Sequence, residues 1–364
     1  MKVPVAINQF RRRVMDTLTK YIGKTSKVQT LNKTEVESIK KVLVVRPNHR
    51  LGNMLLTMPL IQEISARFPN AKIDILSKGG LAPIVFENYD AVNNFILLPK
   101  RHFNELFKYL GIWLKMPFRR YDLTINAVKG SSSGKLLTLL ATSTYKVFQN
   151  PEDNLKDQAD SHHAKESIYA LRKVFSLNHS NETDTSFDIP LLDLKLPEED
   201  LKKGRKILDN FFDNTKPTIA IFTYATGNKC YSPEWWRLFY ERLKTEFTHC
   251  NILEILPNEN VSQINFEATS FYSKDLIEIG SVMANCSVFI GADSGIMHLA
   301  SASGVPTIGL FTGRIDKYKP YGNFNCAFDT TSTQLTDWMD RISEILNADP
   351  SNLPEPNINH DLGS

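Results

Sequence analysis

The chain has 364 residues, room for two domains of ordinary size, and 42% hydrophobic with 23% charged residues supports packed cores and excludes a wholly disordered chain. The formal net charge is only +3, but the first 50 residues carry twelve Lys and Arg against three Asp and Glu, so the remainder is net acidic. A basic arm on an acidic body predicts attraction to an anionic surface. With no helix-turn-helix, zinc-finger or RNA-binding signature beside it, nucleic acid is not the expected partner.

The arm, residues 1–40, contains Ile7–Ile22, where Ile7, Phe10, Val14, Leu18 and Ile22 fall at helical spacing and Arg11, Arg12, Arg13 and Lys20 stand largely off that stripe. This predicts an amphipathic helix, either on an anionic membrane face or packed on its own domain. The arm lacks the apolar core of a signal peptide. No run of 18 apolar residues predicts a spanning helix. Cys230, Cys250, Cys286 and Cys326 are too far apart in sequence for CxxC or zinc spacing, so isolated reduced thiols are expected.

The first strand is predicted over Val42–Val45, a continuous apolar run suited to burial on both faces. A helix is predicted from Asn53 to Phe68, then strands over Lys72–Leu76, Asn94–Leu98, Leu123–Ala127 and Tyr145–Phe148, with a helix near Phe103–Lys115. Residues 150–200 read as turn-rich apart from a helix near Ser167–Phe175. The pattern then restarts: helix Asp200–Phe212, strand Thr218–Thr223, helix Pro233–Phe247, strand Ile252–Leu256, helix Lys274–Ala284, strand Val288–Gly291, helix Gly295–Ser303 and a last strand over Thr307–Phe311. Leu335, Trp338, Ile342 and Ile345 mark a closing helix, and 349–364 is expected to be a disordered tail. Alternation of strand and helix implies α/β architecture with two doubly wound, Rossmann-like sheets. The first occupies 41–200 and the second 201–348. Ligands of such pairs are expected in a cleft facing the C-terminal strand edges.

Four loops carry candidate chemistry. Arg46-Pro-Asn-His-Arg-Leu-Gly-Asn53 leaves the first strand and enters a helix. Arg46 and Arg50 offer charge, His49 a proton exchanger near neutral pH, and Gly52 close backbone approach. The same letters also fit a glycine turn with an Asn cap. Thr223-Tyr-Ala-Thr-Gly-Asn-Lys229 combines Thr223, Thr226, Gly227 and Lys229 as a phosphate cradle, or an ordinary strand-to-helix loop. In Gly291–Ala300, Asp293 and Ser294 read as N-cap residues, and the N–H groups at Ser294, Gly295 and Ile296 suit a diphosphate. His298 follows one turn later; the same letters also fit an Asp/Ser cap with a satisfied histidine. His162 and His163 precede a helix between the domains. They lack a third ligand at metal spacing, and a place at the cleft rim is the better reading. No GxGxxG is present, which argues against a nicotinamide oxidoreductase.

These features, in this order, resemble glycosyltransferase family 9, the ADP-heptose:lipopolysaccharide heptosyltransferases. The matching pieces are VLVVRPNHRLGNMLLTMPLIQEISARFPNAKIDIL, YDLTINAVKGSSSGK, KCYSPEWWRLFYERL and FIGADSGIMHLASASGVPTIGLF, spanning about residues 41–325. The resemblance implies the GT-B fold, inverting transfer without metal or other cofactor, an acceptor-binding N-terminal domain and a nucleotide-sugar-binding C-terminal domain. It implies that Thr226 and Lys229 meet the donor phosphates, with Asp293, Ser294 and His298 around the nucleotide and diphosphate. It implies an ADP-heptose-like donor and a lipid-linked glycan acceptor; the basic arm, which lies outside the resemblance, fits an enzyme that is cytoplasmic and peripheral to the inner membrane. One position departs. The family loop reads Gly-Asp, the Asp being its presumed base, whereas here Asn53 follows Gly52. An amide cannot serve as a base. His49 is the first substitute and His162 or His163 the second. Otherwise a strong base is dispensable, or the chain is a catalytically inactive binding or scaffold protein of the same fold.

Overall fold

The structure is a computed structural model that describes residues 13–23, 29–100, 105–149, 162–175, 189–213, 215–313, 315–322 and 324–348. The expected tail over 349–364 and, within the expected basic helix, Ile7, Phe10, Arg11 and Arg12 lie outside the described residues. Residues 13–19 are helical. No helix among the described residues is long and apolar enough to cross a membrane.

The chain folds as two compact units. One comprises Met1–His49, Pro59–Pro83 and Tyr89–Pro190; the other Arg50–Met58, Ile84–Asn88 and Leu191–Ser364. Each holds one wholly parallel sheet with helical crossovers, so the expected pair of Rossmann-like sheets is present.

In the first unit, α1 (Lys33–Ser38) leads into β1 (Lys41–Arg46). The other strands are β2 (Lys72–Lys78), β3 (Val92–Leu98), β4 (Arg120–Asn126) and β5 (Thr142–Val147), in spatial order β3-β2-β1-β4-β5. β1 is central. Val42 to Val45 are fully buried without alternation, because helices cover both faces of a parallel sheet. Each such side chain stabilises by roughly 1.5–3 kcal/mol relative to exposure. The edge strands β3 and β5 are patchily exposed.

The helix expected from Asn53 to Phe68 is two helices, α2 (Leu51–Leu55) and α3 (Met58–Arg67). Pro59 explains the break. It has no N–H for the Leu55 carbonyl, and its ring would collide there. The chain turns instead through a Thr57 N–H donating to the Met54 carbonyl at 3.0 Å. α4 (Leu81–Val85), α5 (Leu106–Lys115), α6 (Ser132–Leu140) and α7 (His163–Val174) complete the described helices longer than one turn before residue 190. α3 and α7 are tied by a buried bidentate pair: Arg172 Nε and one terminal nitrogen donate to the two Glu63 oxygens at 2.7 and 2.9 Å.

In the second unit, the strands are β6 (Thr218–Phe222), β7 (Asn251–Ile255), β8 (Thr269–Phe271), β9 (Val288–Ala292), β10 (Thr307–Phe311) and β11 (Cys326–Asp329). Their order is β11-β10-β9-β6-β7-β8. β11, rather than β10, is the last strand. The helices are α8 (Glu198–Phe211), α9 (Pro233–Glu246), α10 (Leu276–Ala284), α11 (Gly295–Ala302), α12 (Ile315–Tyr318) and α13 (Leu335–Asn347). α9 starts where Ser232 accepts from the Trp235 N–H at 3.2 Å and Pro233 occupies the first turn. Its buried face, Trp236, Phe239, Tyr240 and Leu243, packs with Trp338 and Ile342 of α13 over the sheet.

Candidate active site

Strand order fixes where chemistry can collect. In the second sheet, β7 and β8 extend from β6 to one side, while β9, β10 and β11 extend to the other. The loops leaving β6 and β9 therefore diverge at a switch point, opening a crevice at the C-terminal strand edge.

The β6 loop begins with Thr223, which is buried. Its hydroxyl donates to Glu254 Oε1 at 2.6 Å and accepts from the Gln263 N–H at 3.1 Å. Thr223 is thus held inward, and Thr226 is the exposed hydroxyl of the loop. Glu254, at the end of β7, has no exposed surface, and burial raises its carboxyl above the usual range. Gly227 takes φ +67°, a backbone region that L side chains avoid. It starts the single 3-10 turn Gly227–Lys229. Lys229 is half-exposed and its ammonium pairs with Asp293 Oδ2. The same ammonium lies 5.6 Å from the Tyr318 ring centroid, within cation–π range.

The β9 loop carries Asp293, whose N–H donates to the Leu310 carbonyl at 3.1 Å. Ser294 is the N-cap of α11, its hydroxyl accepting from the Met297 N–H at 3.2 Å. The other N–H groups of that first turn have no partner within the helix, as at every helix start. The positive end of α11 and the Lys229 ammonium therefore stand at one place, the arrangement an anion needs. His298, one turn in, is buried.

α2 packs against the same helix tip. A Cβ on Gly52 would stand 2.8 Å from His298 Cδ2, and one on Gly295 would stand 3.0 Å from Leu51 Cβ and 3.2 Å from the Gly52 nitrogen. The two glycines allow α2 and α11 to approach within side-chain distance. Gly52 thus admits α11, a neighbour that its place in a loop does not disclose. Arg50 occupies the N-cap of α2, where a side chain without acceptors cannot cap. Asn53 lies in that first helical turn.

In the first unit the switch point falls between β1 and β4. Arg46 is buried at the end of β1 and donates to the Ala127 carbonyl at the end of β4. His49 is exposed in the β1 loop. His162 has no exposed surface and caps α7, its Nδ1 accepting from the Ala164 N–H at 3.2 Å. His163 Nδ1 lies 2.8 Å from Glu166 Oε2. Among the described residues no group of three or more His, Cys, Asp or Glu could hold a metal ion.

Tyr318, Glu254 and Leu51 are absent from the sequence-derived site. Each reaches it through packing between positions far apart in the chain. Tyr231 is a fourth. Its hydroxyl lies 3.0 Å from Thr330 Oγ1. Burial first, then the nearby Asp329 and Asp293 charges, push it up to about 12 against the lowering effect of Thr330.

The description Glycosyltransferase family 9 (heptosyltransferase) matches residues 115–334. The chain is 22% identical over 299 residues to lipopolysaccharide heptosyltransferase 3 of Escherichia coli, covering 75% of this chain and 84% of that one. Among solved structures, a family 9 glycosyltransferase from Veillonella parvula aligns at TM-score 0.64 with 16% identity, covering 87% of this chain and 92% of that one. Escherichia coli heptosyltransferase WaaC with ADP aligns at TM-score 0.60 with 17% identity, covering 84% and 99%. At these identities the structures establish the shared GT-B fold, and the family match establishes membership. The chain with the Lys229–Asp293 pair at the tip of α11 belongs to glycosyltransferase family 9, the heptosyltransferases.

Proposed function

We propose that this glycosyltransferase moves a heptose, or a similar sugar, from an ADP-linked donor to a lipopolysaccharide-type glycan at the cytoplasmic face of the inner membrane, with its basic arm drawn to that face. The observation that carries the donor half is the pairing of Lys229 with Asp293 beside the N-terminal turn of α11. An incoming diphosphate competes with Asp293 for the ammonium and meets the open N–H groups of Ser294, Gly295 and Ile296. Thr226 and Gly227 line the same loop. Asp293, released, is placed to orient ribose hydroxyls. The adenine assignment and the lipopolysaccharide acceptor follow the relatives: the WaaC structure holds ADP, and the E. coli relative is named for lipopolysaccharide.

The reaction is a direct displacement. The acceptor hydroxyl oxygen attacks the anomeric carbon from the face opposite the diphosphate. The carbon–oxygen bond to phosphate breaks, and ADP leaves with that electron pair. Lys229, His298 and the α11 tip stabilise the departing charge. The hydroxyl proton passes to His49, because Asn53 cannot take it. His49 is preferred because it is exposed in the loop that leads into Asn53, whereas His162 is fully buried. Arg50 completes the acceptor side, with Arg46 and Gly52 as its frame: Arg46 is buried against the Ala127 carbonyl and Gly52 admits α11.

Calorimetry with ADP, followed by a transfer assay with ADP-heptose and lipid-linked glycans, tests the reading. ADP binding and sugar transfer are expected. Absence of ADP binding rejects the donor site. Binding without turnover across acceptors favours the inactive reading that Asn53 raises.

A further inference from the structure

The outer face of α5 breaks the rule for a surface helix. Its inner stripe, Tyr109, Ile112 and Trp113, packs on the core around Leu43, Val45 and Leu98. A helix so seated presents polar residues outward. Here the outward positions are Phe107 (93% exposed), Leu110 and Leu114 (72% exposed), and the following turn adds Phe118 (85% exposed). Positions 107, 110 and 114 repeat at helical spacing and form one stripe, and Phe118 is exposed in the 3-10 turn that follows. The patch continues. Thr142 Oγ1 donates to the Pro117 carbonyl at 2.6 Å, which brings the end of α6, with exposed Leu139 and Leu140, beside Phe118. A contiguous apolar surface of this kind marks an interaction site.

Charge selects the occupant. Lys108, Lys115 and Arg120 flank the stripe, against Glu105, which pairs with Lys108 at 3.4 Å, while Arg119 is turned to the Tyr121 hydroxyl. Asp122 is turned to the backbone N–H groups of Lys40 and Lys41 at 2.9 and 2.8 Å. Apolar side chains edged by long basic ones suit an acyl boundary under anionic headgroups, with lysine and arginine stems extending to the phosphates. A 10-residue helix is about 15 Å long and too short to span a bilayer; lying in the interface is what remains.

We propose that the outer face of α5, continued by Phe118, Leu139 and Leu140, is the surface by which the protein docks on an anionic lipid bilayer. This surface is distinct from the basic arm and does not depend on the donor chemistry. The full chain is sedimented with phosphatidylcholine–phosphatidylglycerol vesicles and with phosphatidylcholine alone. Binding to the mixed vesicles, weakened without phosphatidylglycerol, is expected. The combined variant F107S/L114S/F118S should partition at least about tenfold more weakly, the scale for three large apolar side chains leaving the acyl boundary, with thermal midpoint and ADP affinity unchanged. Deleting residues 1–12, which leaves in place the Asp16 and Thr19 contacts with α6, should leave the α5-dependent part in place. As a folding-independent check, Phe107→Trp should be quenched by brominated acyl chains. Equal binding by the triple variant, no binding by the wild type, an unquenched Trp at 107, or a wild-type dimer that the variant dissolves would each overturn the proposal. Unchanged ADP affinity in the same variant separates this outcome from failure of the sugar-transfer reading.

Discussion

The two switch points are built alike and furnished differently. Between β1 and β4, the cation Arg46 is buried and donates to the backbone of the neighbouring strand's end. Between β6 and β9, the cation Lys229 is half-exposed and paired with a carboxylate at a helix tip. A guanidinium committed to a carbonyl is part of the frame. An ammonium held by one exchangeable carboxylate can be taken over by a phosphate. One architecture therefore places a structural cation in one sheet and an available one in the other, and chemistry has to be argued residue by residue on a shared fold.

Four substitutions break or sharpen that contrast. The largest effect is expected for Arg172→Ala in the first unit, which strips a buried carboxylate of its bidentate partner. Arg67 Nε remains 3.3 Å from Glu63, so the loss should sit at the lower end of the usual range, about 3 kcal/mol, read by denaturant titration. ADP affinity, which the proposed donor site assigns to the second unit, should not change; a coupled loss would dissolve the contrast. Next is Lys229→Ala, for which kcat should fall about a hundredfold, the scale of one donor lost from an oxyanion-type site. Full turnover would make Lys229 as structural as Arg46. Gly227→Ala should cost about 1–2 kcal/mol through its left-handed backbone, with weaker ADP binding; an unchanged melting profile would show that the loop relaxes freely.

The smallest effect concerns pH. Burial raises the folded-state pKa of Glu254, so its protonated form is favoured in the folded chain. Its contribution is complete below the ordinary glutamate range and is lost as pH rises through the raised folded value. Glu254→Gln carries no such loss. The melting temperature of the variant minus that of the wild type should therefore grow as pH is raised from the acid side. A constant difference would show that Glu254 does not titrate there.

Much of the fold was legible because parallel strands covered on both faces read as unbroken apolar runs. β1, β6, β9 and β10 are of this kind, and their expected and observed bounds differ by a residue or less at each end. β8 and β11 escaped notice. They are edge strands of three and four residues, without an apolar run to announce them. α6 was also missed, since its opening Ser-Ser-Gly reads as loop until Ser131 is seen capping it by accepting from the Gly134 N–H at 3.1 Å. In the site, the loop residues Thr226, Lys229, Asp293 and Ser294 stood out because capping and charge are local properties. Tyr318 over Lys229, and Leu51 against Gly295, depend on packing between distant positions, which no local pattern encodes.

The placement of α2 has a practical side. Residues 50–58 precede most of the first unit in the chain yet pack with α11 in the second. A hybrid enzyme assembled by joining halves of two relatives near residue 190 would pair one parent's Leu51 and Gly52 with another parent's residue at 295. Any bulkier side chain there would wedge the helices apart. Recombination schemes for this scaffold should move the nine-residue segment 50–58 together with the later half, treating the parts as interleaved instead of consecutive.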